Sequence, residues 1–456
     1  MKNMFEKRLS LYEMLTAFSF CMDLIDEKIV GHHNKVAYIS MEIGKNLGLS
    51  ELKLKKLVAS ALIHDLGIFY VQKFSNTSLD VIVSDEKFNN SLYDLNFFNT
   101  FFNLDFEDSR IKNHAEIGYQ LFKDKSPVSQ IPEIIRYHHH SWKKKNDSET
   151  LMLSNILHLA DRVAVLIEED TPILTQRKRI IKIIKQNQDP YFFSEAVEKV
   201  INLVSQDFFL FNVNNLAYVK KILNDFFQTP IKLINDKEIL KFSKLISHLV
   251  DYRSSFTATH SAGVASIAKH LSEYMNYSKK KQKKLEIAGH LHDMGKLVVP
   301  PNILNKTGKL TNDEWSIMKS HVYYTYHALS TSEKLKEIRE WAAFHHEKLN
   351  GTGYPFHLTK DQLSFGSKII GVADVFTAIT EDRPYRKKFK YLKAIEILSK
   401  MAKNGELDSK LVNIIVDNFN EFNELREEIQ VRNKNYFKEF NNKAKDIINS
   451  DSLNYY

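Results

Sequence analysis

Two stretches of this chain carry the same landmarks in the same order. "HHNKVAYISMEIGKNLGLS" begins at His32 and "HSAGVASIAKHLSEYMNYS" at His260, and each leads to a segment ending in His-Asp, "ASALIHDLG" and "IAGHLHDMG". His64 lies 32 residues after His32, and His292 lies 32 after His260. His138 follows His114 by 24 residues, as His345 follows His321 by 24. An aspartate closes each series in a similar setting, Asp161 in "HLADRVAVL" and Asp374 in "GVADVFTAI". Repeated spacings of this kind mark a duplicated unit, and both copies must then share one fold. The first copy is expected over 1–230 and the second over 231–430, with a polar tail at 431–456.

The repeated unit reads as helical. Glycine and proline are scarce, 14 and 9 in 456 residues. Apolar residues recur every three or four positions, as in Leu245, Leu249 and Tyr252, or Ile267, Leu271 and Met275, which gives a helix one buried face. Ser278 and Thr311 read as N-caps, and Thr311 with Glu314 as a capping box. The expectation is an all-α chain of tandem helical bundles. A 43% hydrophobic, 26% charged composition suits a globular protein.

Cys21 is the single cysteine, which excludes an internal disulfide and fits a reducing compartment. No 18-residue apolar run occurs and the N-terminus has no signal-peptide core, so a cytoplasmic protein with no membrane span is expected. The net charge of +8 is spread along the chain. The lysine run at 279–284 reads as a solvated helix start, which argues against a long nucleic acid as partner.

The second copy concentrates His260, His292, Asp293, His321, His345, His346 and Asp374. One histidine on an apolar helix face is usually a satisfied core residue. Seven such groups at segment ends, at spacings echoed elsewhere, point instead to metal, since neutral imidazoles and carboxylates bind first-row transition ions. Five imidazoles and two carboxylates exceed the needs of one ion and fit two bridged by a carboxylate. The adjacent His345 and His346 can both reach such a site only if their helix ends there.

"HLHDMGK" resembles the signature of HD phosphohydrolases, and "HHEKLNGTGYP" with "ADVFTAITEDRPYR" resembles the HD-GYP subgroup, bacterial phosphodiesterases of cyclic dinucleotides. The subgroup resemblance spans about residues 240–420, while the first copy resembles only the general HD fold. The resemblance implies roles. His260, His292, Asp293 and Asp374 would hold one metal; His321, His345 and His346 would hold a second, with Asp293 bridging. Iron is the metal implied, with manganese the alternative. Lys296 would contact the scissile phosphate, Arg383 and Arg386 would contact phosphate or base, and Tyr354 would form a substrate-side wall. Asn350 and Thr377 stand where the family often has aspartate. Phe256 stands where some members place a glutamate for a third metal, so two metals are expected.

The first copy keeps His32, His64, Asp65, His114, His138, His139 and Asp161, but has Ile68, Asp170 and Ile173 where the lysine and the two arginines would be. Three readings stay open for it: a metal-binding regulatory domain, a structural or dimer-forming relic, or a second active phosphohydrolase. Retention of the ligands favours metal. His140 leaves the choice of adjacent pair open, and the stretch 74–108 has no assignment. The resemblance implies an enzyme that linearises a cyclic dinucleotide, cyclic di-GMP first and 3',3'-cyclic GMP-AMP second, with GMP a further product. A catalytically inactive receptor of the same ligand is the alternative from another class, and the intact Lys296 speaks against it. A (p)ppGpp or other nucleotide hydrolase of the wider HD group is disfavoured by the GTGYP stretch and the arginines. A homodimer is compatible with the resemblance.

Overall fold

The computed structural model describes residues 8–24, 30–68, 70–71, 109–142, 148–168, 170–254, 259–382 and 387–449. Every regular element among them is a helix, so the chain is all-α. No helix among the described residues is long and apolar enough to cross a membrane. The chain divides into two compact units, one mainly from residues 10–233 and the other mainly from 234–442.

In the first unit, α1 (Leu11–Asp23), α2 (His32–Asn46), α3 (Glu51–Ala61), α4 (Ser109–Phe122), α5 (Gln130–Tyr137) and α6 (Glu149–Val165) carry the repeated landmarks. Helix α2 is central, packing against α3 and α6, while α5 packs on α4 and α6. Its lining is apolar, with Val36, Ile39, Ile43, Leu57, Ile156 and Val163 fully buried. Further helices between Arg177 and Phe226 complete the unit.

The second unit repeats this plan with α7 (Asp236–Arg253), α8 (His260–Tyr274), α9 (Lys279–Leu291), α10 (Asn312–Leu329), α11 (Lys336–Ala343) and α12 (Phe365–Thr380). Helix α8 packs against α9 and α12, and α10 against α11. The expected caps are present. Ser278 accepts from the Lys281 N–H, and Thr311 with Glu314 forms a reciprocal capping box. Each cap satisfies N–H groups that the first helical turn leaves without partners, worth about 1 kcal/mol.

Residues 450–456 of the expected tail lie outside the described residues, and residues 431–449 differ from it. They continue α13 (Phe419–Asn449), whose Phe437 ring stacks on His248 at 4.0 Å with Phe440 edge-on at 5.6 Å. The apolar residues Phe437 and Phe440 lie three apart on one helix face, enough to dock an otherwise polar helix.

Candidate metal centre and substrate cleft

Helix ends deliver five of the seven groups of the second unit, and Asp374 lies within α12. His260 is the first residue of α8, His292 caps the C-terminus of α9, and Asp293 follows it. His321 sits mid-way along α10. Helix α11 stops at Ala343, and the turn that follows carries His345 and His346. Six of the seven are buried, and only the His346 side chain, 30% exposed, is partly open.

Asp293 faces two groups of partners. Its Oδ2 is 3.1 Å from His292 Nε2, while its Oδ1 is 3.4 Å from His321 Nε2 and 3.9 Å from His345 Nε2. Asp374 lies across the cluster, with Oδ1 3.0 Å from His260 Nε2 and Oδ2 3.8 Å from His346 Nδ1. Donor atoms of His260, His292 and Asp374 lie within 4.8 Å of one another, as do those of His321, His345 and His346.

The donor chemistry fits cations. His292, His321 and His345 each donate Nδ1–H to the carbonyl three residues earlier, Gly289, Met318 and Ala342, at 2.7 Å. A carbonyl oxygen carries no proton, so the hydrogen belongs to Nδ1 and the Nε2 of a neutral ring is a lone pair. These outer bonds fix ring orientation, as they do around bound metals. His292 Nε2 and Asp293 Oδ1 are buried with no hydrogen-bond partner among the described residues. Lone pairs and carboxylate oxygens at 3.1–3.9 Å repel one another unless positive charge lies between them.

Protonation states suit the same purpose. Burial lowers His321 to about 3 and His346 to about 4, and pushes His345 well down. Burial acts to raise Asp293, but His292 and Lys296 hold it well below the usual carboxylate range. Asp374 is held down against burial by His260 and His346. Neutral imidazoles and ionised carboxylates are the forms that ligate metal. His260 behaves differently. Burial would lower it, yet the carboxylates of Glu381 and Asp374 raise it to about 10 in the metal-free chain. Glu381 Oε1 lies 2.9 Å from His260 Nδ1, and its Oε2 accepts from Gln430 Nε2 at 2.9 Å.

The cluster opens into a cleft of about 320 Å³. Lys296, Lys306, Trp315, Tyr354 and Ala378 line it beside the ligand side chains. Lys296 Nζ pairs with Asp293 Oδ2 at 2.6 Å. The Tyr354 ring lies 4.9 Å from that of His346 and 5.9 Å from Trp315. Glu347 anchors this wall by accepting from the N–H groups of Phe356 and Leu358 at 2.7 and 2.9 Å. Gly353 is needed there, since a Cβ would stand 2.4 Å from the Glu347 Cα. Asn350 shapes the same loop, accepting from the Thr352 N–H at 3.1 Å and donating to the Asn404 carbonyl at 3.1 Å. Thr377 is buried in α12. Arg383, Arg386 and Phe256 lie outside the described residues.

Sequence reasoning missed Glu381, Glu347 and Trp315. Glu381 adjoins the DRPYR stretch but meets His260 across 121 residues, and no local spacing announces such a pair. Glu347 stands within the quoted motif, where its carboxylate could have been read as a loop anchor.

The first unit gathers its own set. His32 Nε2 is 3.2 Å from Asp161 Oδ1, His64 Nε2 is 3.2 Å from Asp65 Oδ2, and His114 Nε2 is 3.3 Å from Asp65 Oδ1. Donor atoms of His114, His138 and His139 also lie within 4.8 Å of one another. Ile68 is buried, Asp170 is exposed and Ile173 is buried, so none offers a cation to the cluster.

Comparisons with known proteins follow the same division. Residues 29–166 match the HD domain family, and residues 244–411 match a second HD domain family. The 3'3'-cGAMP-specific phosphodiesterase 1 of Vibrio cholerae serotype O1 is 27% identical over 432 residues, 92% of this chain and 94% of the relative. A cyclic di-GMP phosphodiesterase of Pseudomonas aeruginosa is 33% identical over 182 residues, 39% of this chain and 43% of the relative. The crystal structure of a cyclic GMP-AMP-specific phosphodiesterase of V. cholerae superposes with a TM-score of 0.61 at 21% identity, covering 91% of this chain and 98% of that one, and supports the shared fold. With an HD domain in each half and the GTGYP wall in the second, the chain belongs to the HD superfamily as a tandem protein whose second domain is of the HD-GYP type.

Proposed function

We propose that the second unit is a metal-dependent phosphodiesterase that opens a cyclic dinucleotide. The carrying observation is the division of Asp293, whose Oδ2 faces His292 and whose Oδ1 faces His321 and His345 beside the cleft. His260, His292, Asp293 and Asp374 would hold one divalent ion. His321, His345 and His346 would hold the other, with Asp293 shared. Iron suits this set, with manganese the alternative. Two such ions would supply Lewis acidity to the phosphoryl group and make water acidic enough to attack it.

The protein's own groups do the rest. Lys296, 16% exposed and already at the cluster, presents an ammonium to a phosphate entering the cleft. Tyr354 and Trp315 offer aromatic faces on which a purine can stack. Arg383 and Arg386 are proposed as phosphate or base contacts from the motif alone.

For the substrate, a relative that spans nearly the whole chain is named for 3',3'-cyclic GMP-AMP, whereas a cyclic di-GMP phosphodiesterase matches 39% of it. That favours 3',3'-cyclic GMP-AMP, and cyclic di-GMP is the second reading. Purified protein given each dinucleotide in turn, with metal content measured on the same sample, tests both. Faster linearisation of 3',3'-cyclic GMP-AMP is expected. The reverse ratio would favour cyclic di-GMP, and binding of either without turnover would make the chain a receptor.

A further inference from the structure

The first unit does more than repeat the second. Asp65 Oδ2 is approached by three imidazole nitrogens, His64 Nε2 at 3.2 Å, His33 Nε2 at 3.6 Å and His32 Nε2 at 3.7 Å. The three rings stand almost equally far from one another, with centroids 5.5 Å apart for His32 and His33, 5.5 Å for His32 and His64, and 5.3 Å for His33 and His64. Ligand atoms about 2.1 Å from one tetrahedral ion lie roughly 3.4 Å apart, and imidazoles bound to it have centroids roughly 5 Å apart. The tripod therefore has the dimensions of a tetrahedral site with three histidines and one carboxylate.

His33 is built for that role. Its side chain is 1% exposed, and its Nδ1 lies 2.5 Å from Asp23 Oδ1. Asp23 Oδ1 also accepts the His33 N–H at 3.2 Å, and Asp23 Oδ2 accepts from Asn34 Nδ2 at 2.9 Å, which fixes the carboxylate. Nδ1 donates to Asp23, so Nε2 faces the cluster, where it has no hydrogen-bond partner among the described residues. A carboxylate behind an imidazole whose far nitrogen points at other ligands is the usual outer support of a metal-bound histidine.

The second unit lacks this imidazole. There Ser261 follows His260 and donates Oγ–H to Asp251 at 2.9 Å, ten residues back, as His33 and Asp23 are ten apart. The first unit also adds Arg162, buried, with Nε 3.1 Å and Nη2 2.5 Å from Asp161 Oδ2. That guanidinium neutralises one oxygen of the aspartate corresponding to Asp374. An extra imidazole thus joins His32, His64 and Asp65, while Arg162 takes Asp161 Oδ2 and leaves Oδ1 3.2 Å from His32 Nε2 and 3.6 Å from His64 Nε2.

We propose that the first unit holds a tetrahedral metal centre of His32, His33, His64 and Asp65, with His33 a ligand that the second unit does not have. Its donors, three imidazoles and one carboxylate with no thiolate, suit a divalent ion of the zinc or cobalt type. Protein groups fill all four positions and Asp161 Oδ1 stands beside His32 and His64, so the ion would stabilise the fold and would have no open position for substrate. The inference is independent of the reaction proposed for the second unit.

The test uses the full chain with the second site disabled by His292→Ala and Asp293→Ala, stripped of metal and titrated with cobalt(II). In that background, His33→Cys should add a thiolate-to-cobalt charge-transfer band that the parent, whose single thiol is Cys21, does not show. Asp23→Asn, which leaves all four ligands in place, should weaken cobalt binding by about 10- to 100-fold. Cobalt bound without the band in a chain of unchanged helical circular dichroism would overturn the proposal. If His33→Cys fails to fold, the Asp23→Asn titration decides, and unchanged affinity there overturns it.

Discussion

A Cβ on Gly295 would stand 1.9 Å from the carbonyl oxygen of His321. The glycine three residues after His292 thus lets α10 press its backbone against the His-Asp turn and set His321 beside Asp293. Thr325 clamps the contact, accepting from the Gly295 N–H at 2.9 Å and donating to the His292 carbonyl at 3.1 Å. The first unit repeats the arrangement, since a Cβ on Gly67 would meet the His114 carbonyl at 2.0 Å. Gly295→Ala is expected to push α10 away and cost about 1–3 kcal/mol. Thermal unfolding should move down, and elemental analysis should find metal lost from the second unit. A variant with full metal content and unchanged unfolding would show that this close approach is not needed.

Asp293 serves both halves of its cluster, so Asp293→Ala should release both ions and abolish hydrolysis. Asp374→Ala, which removes the carboxylate near His260, His292 and His346, should retain part of the metal. Equal losses in the two variants, by elemental analysis of the full chain, would contradict a special bridging place for Asp293.

Much of this arrangement was legible in the sequence because helices and their ends leave local marks. The capping residues Ser278 and Thr311, the apolar periodicity and the 32- and 24-residue spacings all lie along the chain. So did the seven groups of the second unit. What escaped were contacts set by tertiary packing. Glu381 reaches His260 from a segment 121 residues away. His33 reads as the neighbour of a ligand until the bundle turns it toward Asp65 and Asp23. Residues 431–449 looked like a tail because their polar residues outnumber the few, such as Phe437 and Phe440, that dock the helix.

Lys296 touches Asp293 but has no lone pair to spare for a metal while it is an ammonium. Lys296→Ala should therefore keep both ions and slow turnover. Loss of one charge-assisted contact to phosphate costs about 1.5–3 kcal/mol, or roughly 10- to 150-fold in kcat/KM. Metal content measured beside the kinetics checks the assignment, since a variant stripped of metal would mean that the lysine chiefly holds Asp293 in place.

Glu347 fixes the loop that carries Tyr354 through two backbone N–H groups. Glu347→Ala leaves those donors without their carboxylate and frees the wall to move. The expected result is a KM raised several-fold, normal metal content and little change in unfolding temperature. A fall in metal content would instead place the effect on the neighbouring His346.

The metal-free chain should lose stability on both sides of neutrality, for opposite reasons. His158 and His290 are lowered to about 3 by burial, and His321 also to about 3. Unfolded, each would titrate near 6.5. As pH falls below that value the unfolded chain takes up protons that the folded chain refuses, so stability drops from about pH 6.5 down toward 3. At pH 5 the linkage is on the order of 2 kcal/mol per ring. His64, raised to about 9 mainly by Asp65 and Asp161 against burial, and His260, raised to about 10 by Glu381 and Asp374, act the other way. Their contribution is full below pH 6.5 and fades as pH rises through 9 and 10. Unfolding temperature of chelator-treated protein should therefore peak near neutrality. His158→Phe, which cannot be protonated, should flatten the acid side, and an acid limb of unchanged steepness in that variant would remove His158 from the account.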